Sequence, residues 1–246
     1  MTTPEPLFTV DAMQFFGREP ADYQAMFGIG MRELIGKRVL DCPAGPGSFV
    51  AHAAAQGVDV VGVDPLYDQP LTELLDRGRR DVRHTIDRMR PKQERLADLD
   101  LDAYERSKLR ALEAFGADFT RGLALGRYVA ASLPCLPFPD RHFHRTLSAH
   151  LLFTYSDPAE GGILADSPFT PAWHLQAAGE LMRVTREELR LYPTTTRWET
   201  PTRHPVAEQV ARMFRERGLN ARFEASTFAR GNHMNDPWNA CLVVTR

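Results

Sequence analysis

Cysteine is scarce: there are three in 246 residues, Cys42, Cys135 and Cys241, far apart and without CxxC spacing. That excludes a disulfide framework and a cysteine zinc site. An excess of charge of one sign is also missing. The formal net charge is -2, so there is no global basic field and no nucleic-acid partner is expected. No apolar run approaches bilayer length, so no membrane span is expected. Met1 to Pro6 lacks a basic start followed by an apolar stretch, so a signal peptide is not expected. A reducing cytoplasm is the simplest compartment. No internal repeat and no low-complexity segment is present.

What is there is ordinary for a globular chain: 43% hydrophobic and 25% charged residues. The length suits one large α/β domain, or a domain with a small cap. Arg38 to Phe49 reads as a buried strand (Val39, Leu40) breaking into a glycine-containing loop, with Ser48 opening a helix through Ala55 that Gly57 ends. Val58 to Val63 is a second apolar strand, closed by Asp64-Pro65.

Ahead of this unit, Pro20 to Phe27 and Met31 to Ile35 read as short helices, the second stopped by Gly36. After it, Leu71 to Met89 and Tyr104 to Phe119 carry apolar residues at helical spacing, where an ordinary αβ connection is far shorter. The basic run from Arg77 to Arg95 is interleaved with Asp76, Asp81, Asp87 and Glu94, which favours a solvated, salt-bridged helix. Strands are then expected at Arg127 to Ala131, His144 to Ala149 and Glu188 to Tyr192. Helices are expected at Ala172 to Met182 and Val206 to Arg217. Two closing strands, Leu219 to Phe228 and Ala240 to Thr245, flank the polar loop Ala229 to Trp238.

Alternating strands and helices predict a Rossmann-like, doubly wound α/β fold. Its mainly parallel sheet of about seven strands should carry an antiparallel edge hairpin and a helical cap insertion. The expected division is a leader or lid over 1–36 and an α/β domain over 37–246, with the cap insertion at 66–126.

The loop could serve several ligands. A dinucleotide fold wants G-x-G-x-x-G, and Gly45 and Gly47 supply the first pair, but Val50 holds the third position. A phosphate loop would need Gly-Lys-Ser/Thr, which is absent. A lone acid at the tip of the second strand, Asp64, is placed to accept hydrogen bonds from a ribose.

The surviving pattern resembles motif I of the class I S-adenosylmethionine-dependent methyltransferases. There a strand ends in an acid and enters a loop spelled close to Gly-x-Gly-x-Gly. Asp41-Cys-Pro-Ala-Gly-Pro-Gly47 fills that place, with Pro43 where the first glycine stands. The resemblance continues through Leu133 and Leu136-Pro-Phe-Pro-Asp140, and covers roughly 37–65 and 127–193. The leader, the turn at Asp64 to Tyr67, the insertion and Ser148 to Tyr155 are also similar to a bacterial subgroup with no assigned substrate.

The resemblance implies S-adenosylmethionine as cofactor, with Asp41, Pro43, Ala44, Gly45 and Gly47 at the loop and Asp64 on the ribose beside Pro65. It also implies Ser132 and Leu133 at the adenine, with Ser132 standing where the family often has an acid, and it adds Ser148 at the fourth strand. The implied reaction is methyl transfer to a small-molecule acceptor.

Catalytic candidates follow from position. His150 leaves the fourth strand at the carboxyl edge, where a general base could act. Tyr155 and Asp157 share its loop and could orient a substrate, and Tyr192 ends the fifth strand. His174 reads as structural. His142 and His144 form a His-x-His pair beside Asp140, but with no further ligand cluster no metal is expected. The aromatic leader (Phe15, Phe16, Tyr23, Phe27) could close over the site.

Two other readings stay open. The cofactor could lose its aminopropyl chain or cyclise, releasing methylthioadenosine, or the protein could be a non-catalytic nucleotide-binding module. A monomer or homodimer is expected.

Overall fold

Strands β1 (Arg38–Asp41) and β2 (Asp59–Val63) pair in parallel, with Val39 opposite Val60 and Leu40 opposite Val61. Successive strand residues face opposite sides, so Val39 and Val60 join one buried cluster while Leu40 and Val61 join the other. A strand buried on both faces needs helices on both, and the chain supplies them. The computed structural model describes residues 9–96, 99–197, 200–228 and 236–246. Met1 to Phe8 of the leader and Ala229 to Asn235 of the last loop lie outside the described residues.

The sheet holds seven strands in the order β3-β2-β1-β4-β5-β7-β6, with β3 (Tyr128–Val129), β4 (Phe143–Ala149), β5 (Thr185–Tyr192), β6 (Asn220–Ala225) and β7 (Ala240–Thr245) completing the set. All pairings through β5 are parallel, and β7 runs antiparallel to both of its neighbours. This is a Rossmann-like α/β fold with an antiparallel pair at one edge. The pair enters with its second strand inside: β7 is buried along Ala240 to Val244, whereas β6 alternates and takes the edge. A nearly continuous apolar run suits an interior strand, and an alternating one suits an edge.

Helices α1 (Pro20–Phe27), α2 (Phe49–Ala55) and α4 (Leu101–Ala124) cover one face through Tyr23, Met26, Phe49, Val50, Leu112 and Phe115. Helices α5 (Pro171–Val184) and α6 (Pro205–Glu216) cover the other through Ala178, Leu181, Val210 and Phe214. Between β2 and β3 stand α3 (Leu71–Met89) and α4. Leu75 meets Gly116 and Leu112 meets Gly78, so the two helices run antiparallel.

Several bounds differ from expectation for local reasons. The third strand keeps only Tyr128 and Val129. Its partner β2 ends at Val63, and Asp64 then turns into a 3-10 segment over Pro65–Asp68. Helix α4 starts earlier than Tyr104 because the Asp100 carboxylate caps it, accepting from the Ala103 amide at 2.8 Å. Met31 to Ile35 forms only a single 3-10 turn, Met31–Glu33. Among the described residues no helix is long and apolar enough to cross a membrane.

Candidate functional site

The carboxyl ends of β1, β2, β4 and β5 open onto one cavity of about 400 Å³. That size lies within the range of small-molecule sites, and open α/β sheets bind ligands at this edge. Pro43, Ala44 and Gly45 line it from the loop after β1. The loop is held from behind: the Ala44 amide donates to the Val63 carbonyl at 2.8 Å and the Cys42 amide to Leu147 at 3.0 Å. Gly45 has a φ of 52°, the left-handed region that glycine adopts without strain. Its carbonyl accepts from the Tyr67 hydroxyl.

Asp64 hangs beside this loop. It is 7% exposed, its Oδ1 accepts from the Leu66 amide at 3.0 Å, and its Oδ2 lies 4.0 Å from where a Gly45 side chain would begin. Burial pushes its pKa up to about 6, against the pull of the Leu66 and Gly45 amides. Pro65, Leu66, Ser132 and Leu133 line the same end of the cavity wall.

Asp41 is placed differently. It lies at the end of β1, 1% exposed and off the cavity wall. Its Oδ2 accepts from the Tyr23 hydroxyl at 2.7 Å, while Oδ1 is buried with no hydrogen-bond partner among the described residues. Burial drives its pKa to about 8, the Tyr23 bond opposing and the Asp64 charge adding. Gly47 is also off the wall, covered by the leader. A side chain on Gly17 would lie 2.2 Å from the Gly47 backbone. Ser148 is 2% exposed inside β4, its hydroxyl without a partner among the described residues, and does not reach the cavity.

Of the four catalytic candidates, His150, Tyr155 and Tyr192 line the cavity and Asp157 does not. The Asp157 carboxylate instead caps a 3-10 turn, accepting from the Ala159 amide at 2.9 Å. His150 leaves β4 with a φ of 57°, and its amide donates to the Tyr192 carbonyl at 2.7 Å. Its Nδ1 accepts from Arg18 Nε at 3.1 Å. A neutral ring that accepts at Nδ1 carries its proton on Nε2. The Tyr155 hydroxyl accepts from the Gln14 amide at 3.3 Å, and burial raises its pKa to about 12, so it stays a neutral phenol. The Tyr192 hydroxyl donates to Asn239 at 2.9 Å, and its ring lies 5.4 Å from the His150 ring.

His174 is fully buried on α5 away from the cavity, beside Phe153. His144 Nδ1 accepts from the Arg38 amide, and His142 stacks on Phe138. Among the described residues no group of three or more His, Cys, Asp or Glu is placed to hold a metal ion.

The sequence reading passed over several wall residues. Arg18 belongs to the aromatic leader, which crosses the site. Phe15 donates its amide to Asp81 on α3 at 2.7 Å, and Lys108 on α4 donates to the Gly17 carbonyl at 2.8 Å. Arg77, Thr85 and Met89 of α3 and Tyr104 of α4 complete that side. Arg77 therefore faces the cavity rather than bulk solvent alone. Arg197, five residues beyond β5, lines the opposite end. Its one available signal was its place after a strand's carboxyl end, the same rule that singled out His150.

No profile of a known protein family matches the chain. It is 23% identical over 181 residues to an uncharacterised protein of Methanocaldococcus jannaschii, covering 72% of this chain and 76% of that one. Among solved structures it is similar to magnesium protoporphyrin IX methyltransferase from Synechocystis PCC 6803 with bound SAM, at 13% identity and a TM-score of 0.44, covering 87% of this chain and 72% of that one. A protein from Pyrococcus horikoshii OT3 follows at 14% identity and a TM-score of 0.43, covering 85% and 81%. A SAM-dependent methyltransferase from Aquifex aeolicus has 15% identity and a TM-score of 0.40, covering 91% and 90%. At these scores the functional reading stands on the chain's own strand order and site geometry.

Proposed function

We propose that the protein catalyses S-adenosylmethionine-dependent methyl transfer to a small-molecule acceptor. The carrying observation is the Gly45–Asp64 pair, a backbone loop with no side chain to block approach beside a nearly buried acid on the neighbouring strand. Two ribose hydroxyls would meet the Asp64 carboxylate, and the adenine would lie toward Ser132 and Leu133.

Asp41 lies behind the loop, buried and off the cavity wall, and braces that loop through the Tyr23 hydroxyl rather than touching the ligand. No lysine follows the loop, and among its residues no cation is available for a pyrophosphate. Bound S-adenosylmethionine would supply a methyl group activated by its sulfonium charge.

The protein's own groups hold and shield. Asp64 fixes the ribose end, while the leader as a lid and the α3–α4 pair as a cap keep water out. His150 offers an Nε2–H to orient the acceptor, and Tyr155 is a donor rather than a base. Rate enhancement then comes chiefly from alignment and desolvation.

The test is incubation with S-adenosylmethionine and acceptor mixtures, read by mass spectrometry. Release of S-adenosylhomocysteine supports methyl transfer. Release of methylthioadenosine means aminopropyl transfer or cyclisation. Neither product, with tight binding retained, means a binding module.

A further inference from the structure

Arg197 is a partly buried cation on the wall of a mainly apolar cavity. Its backbone is fixed, the amide donating to the Gly161 carbonyl at 2.7 Å. Among the described residues no carboxylate lies within ion-pair distance of its guanidinium. The described acids on the cavity wall are Asp64 and Asp236. Asp236 makes no ion pair with Arg197, and its Oδ1 accepts from the Trp238 amide at 2.8 Å. Asp64 follows β2, and β2 is separated from β5 by β1 and β4. Three strand steps put those ends about 14 Å apart. A guanidinium held in an apolar wall is costly unless an anion meets it, and its planar fork matches a carboxylate.

The surroundings narrow the anion further. Ile163, Phe169 and Trp173 line the cavity with Leu151, so the rest of the ligand meets carbon. Tyr192, Tyr104 and Tyr155 add hydroxyls around the guanidinium, and Asp236, though outside ion-pair distance, also bears on its charge. The other wall cation near Tyr155 and Tyr192, Arg18, donates its Nε to His150, which leaves Arg197 to meet the ligand, and one carboxylate balances one arginine.

We propose that the acceptor is a small carboxylic acid with an apolar or aromatic body, its carboxylate held by Arg197 and its acceptor atom turned toward His150. This rests on the methyl-transfer reading, since the opposite end of the cavity is assigned there to the cofactor. The geometry then divides the cavity into a nucleoside end over β2 and β1 and an acid end over β5, with His150, after β4, between them.

The test is calorimetry on the full chain saturated with S-adenosylhomocysteine. Benzoate, cinnamate, indole-3-acetate and hexanoate are compared with their primary amides. At least one acid should bind ten-fold or more tightly than its amide. Arg197→Met should erase that preference and Arg197→Lys should keep part of it, both with unchanged S-adenosylhomocysteine affinity, which also shows that the variants fold. Equal binding of acids and amides, no binding of any acid, or a preference surviving Arg197→Met overturns the proposal. A failure of S-adenosylhomocysteine to bind overturns the cofactor reading instead. The acid–amide comparison on the cofactor-free protein then decides the Arg197 assignment by itself.

Discussion

Val50 on α2 packs where Gly62 on β2 leaves space: a side chain added at Gly62 would meet Val50 Cγ2 at 2.9 Å and Ala44 Cβ at 3.0 Å. Dinucleotide folds reach close helix–strand packing with a third glycine in the loop–helix motif. Here the glycine is on the strand instead, and the same contact steadies Ala44 at the cavity wall.

Gly62→Ala should therefore lower stability by about 1–3 kcal/mol through overpacking. Adding Val50→Ala should recover part of the loss. Urea unfolding of the single and double variants checks this. A Gly62→Ala protein as stable as the parent would remove the packing role given to this pair.

Asp41 gives a pH dependence with a definite sign. Its folded pKa of about 8 lies above the ordinary 3.8, so the folded state holds a proton that the unfolded state releases. Its contribution is complete below about pH 4 and is lost as pH rises toward 8. One such group changes stability by at most about 1.4 kcal/mol per pH unit. Asp64, raised to about 6, adds a smaller loss of the same sign. Asp41→Asn should flatten the fall between pH 5 and 8 in denaturant titrations.

The buried histidines act in the opposite direction. Burial lowers His174 to about 4 and His204 to about 3, below the ordinary 6.5. Their contribution is full above about 6.5 and falls as the solution is acidified through those values. Both ring nitrogens of His174 lack hydrogen-bond partners among the described residues, so its loss leaves no orphaned group there. His174→Phe should make the protein more resistant to acid, with a higher unfolding midpoint at pH 5 and little change at pH 8.

The Arg18–His150 contact fixes a tautomer. Long-range ¹H–¹⁵N spectra should show His150 protonated at Nε2 when neutral, with Nδ1 as acceptor. Arg18→Leu should shift the Nδ1 resonance or mix the tautomers. A proton on Nδ1 in the parent would contradict the arrangement.

Much of the fold was legible because period and punctuation agreed. Pro20–Phe27, Leu71–Met89 and Ala240–Thr245 have the bounds expected from the sequence. Gly36, Gly57 and Gly218 follow their elements with positive φ, as stop signals should. The expected antiparallel edge hairpin is present, and the unbroken apolar run of β7 puts that strand inside with β6 at the edge.

The cavity wall was most legible around strand ends: Gly45, Asp64 and His150 follow strands, Tyr192 ends one, and Ser132, Leu133 and Tyr155 lie in the loops beyond. Asp157 resembled them in sequence but spends its carboxylate on a turn. Arg18, Tyr104 and Arg197 arrive from a leader, a helix and a loop, and only the tertiary structure brings them together.

The central claim is that Asp64 and the Gly45 loop hold the ribose of S-adenosylmethionine. Loss of the carboxylate removes charge-assisted hydrogen bonds worth about 1.5–3 kcal/mol each. Titration of S-adenosylhomocysteine into the parent and into Asp64→Ala by calorimetry measures this most directly. The account predicts saturable binding to the parent, none of comparable strength by NAD, and at least a ten-fold weaker affinity in Asp64→Ala with unfolding still cooperative. Binding undiminished in Asp64→Ala, or a parent that binds NAD and not S-adenosylhomocysteine, would contradict it.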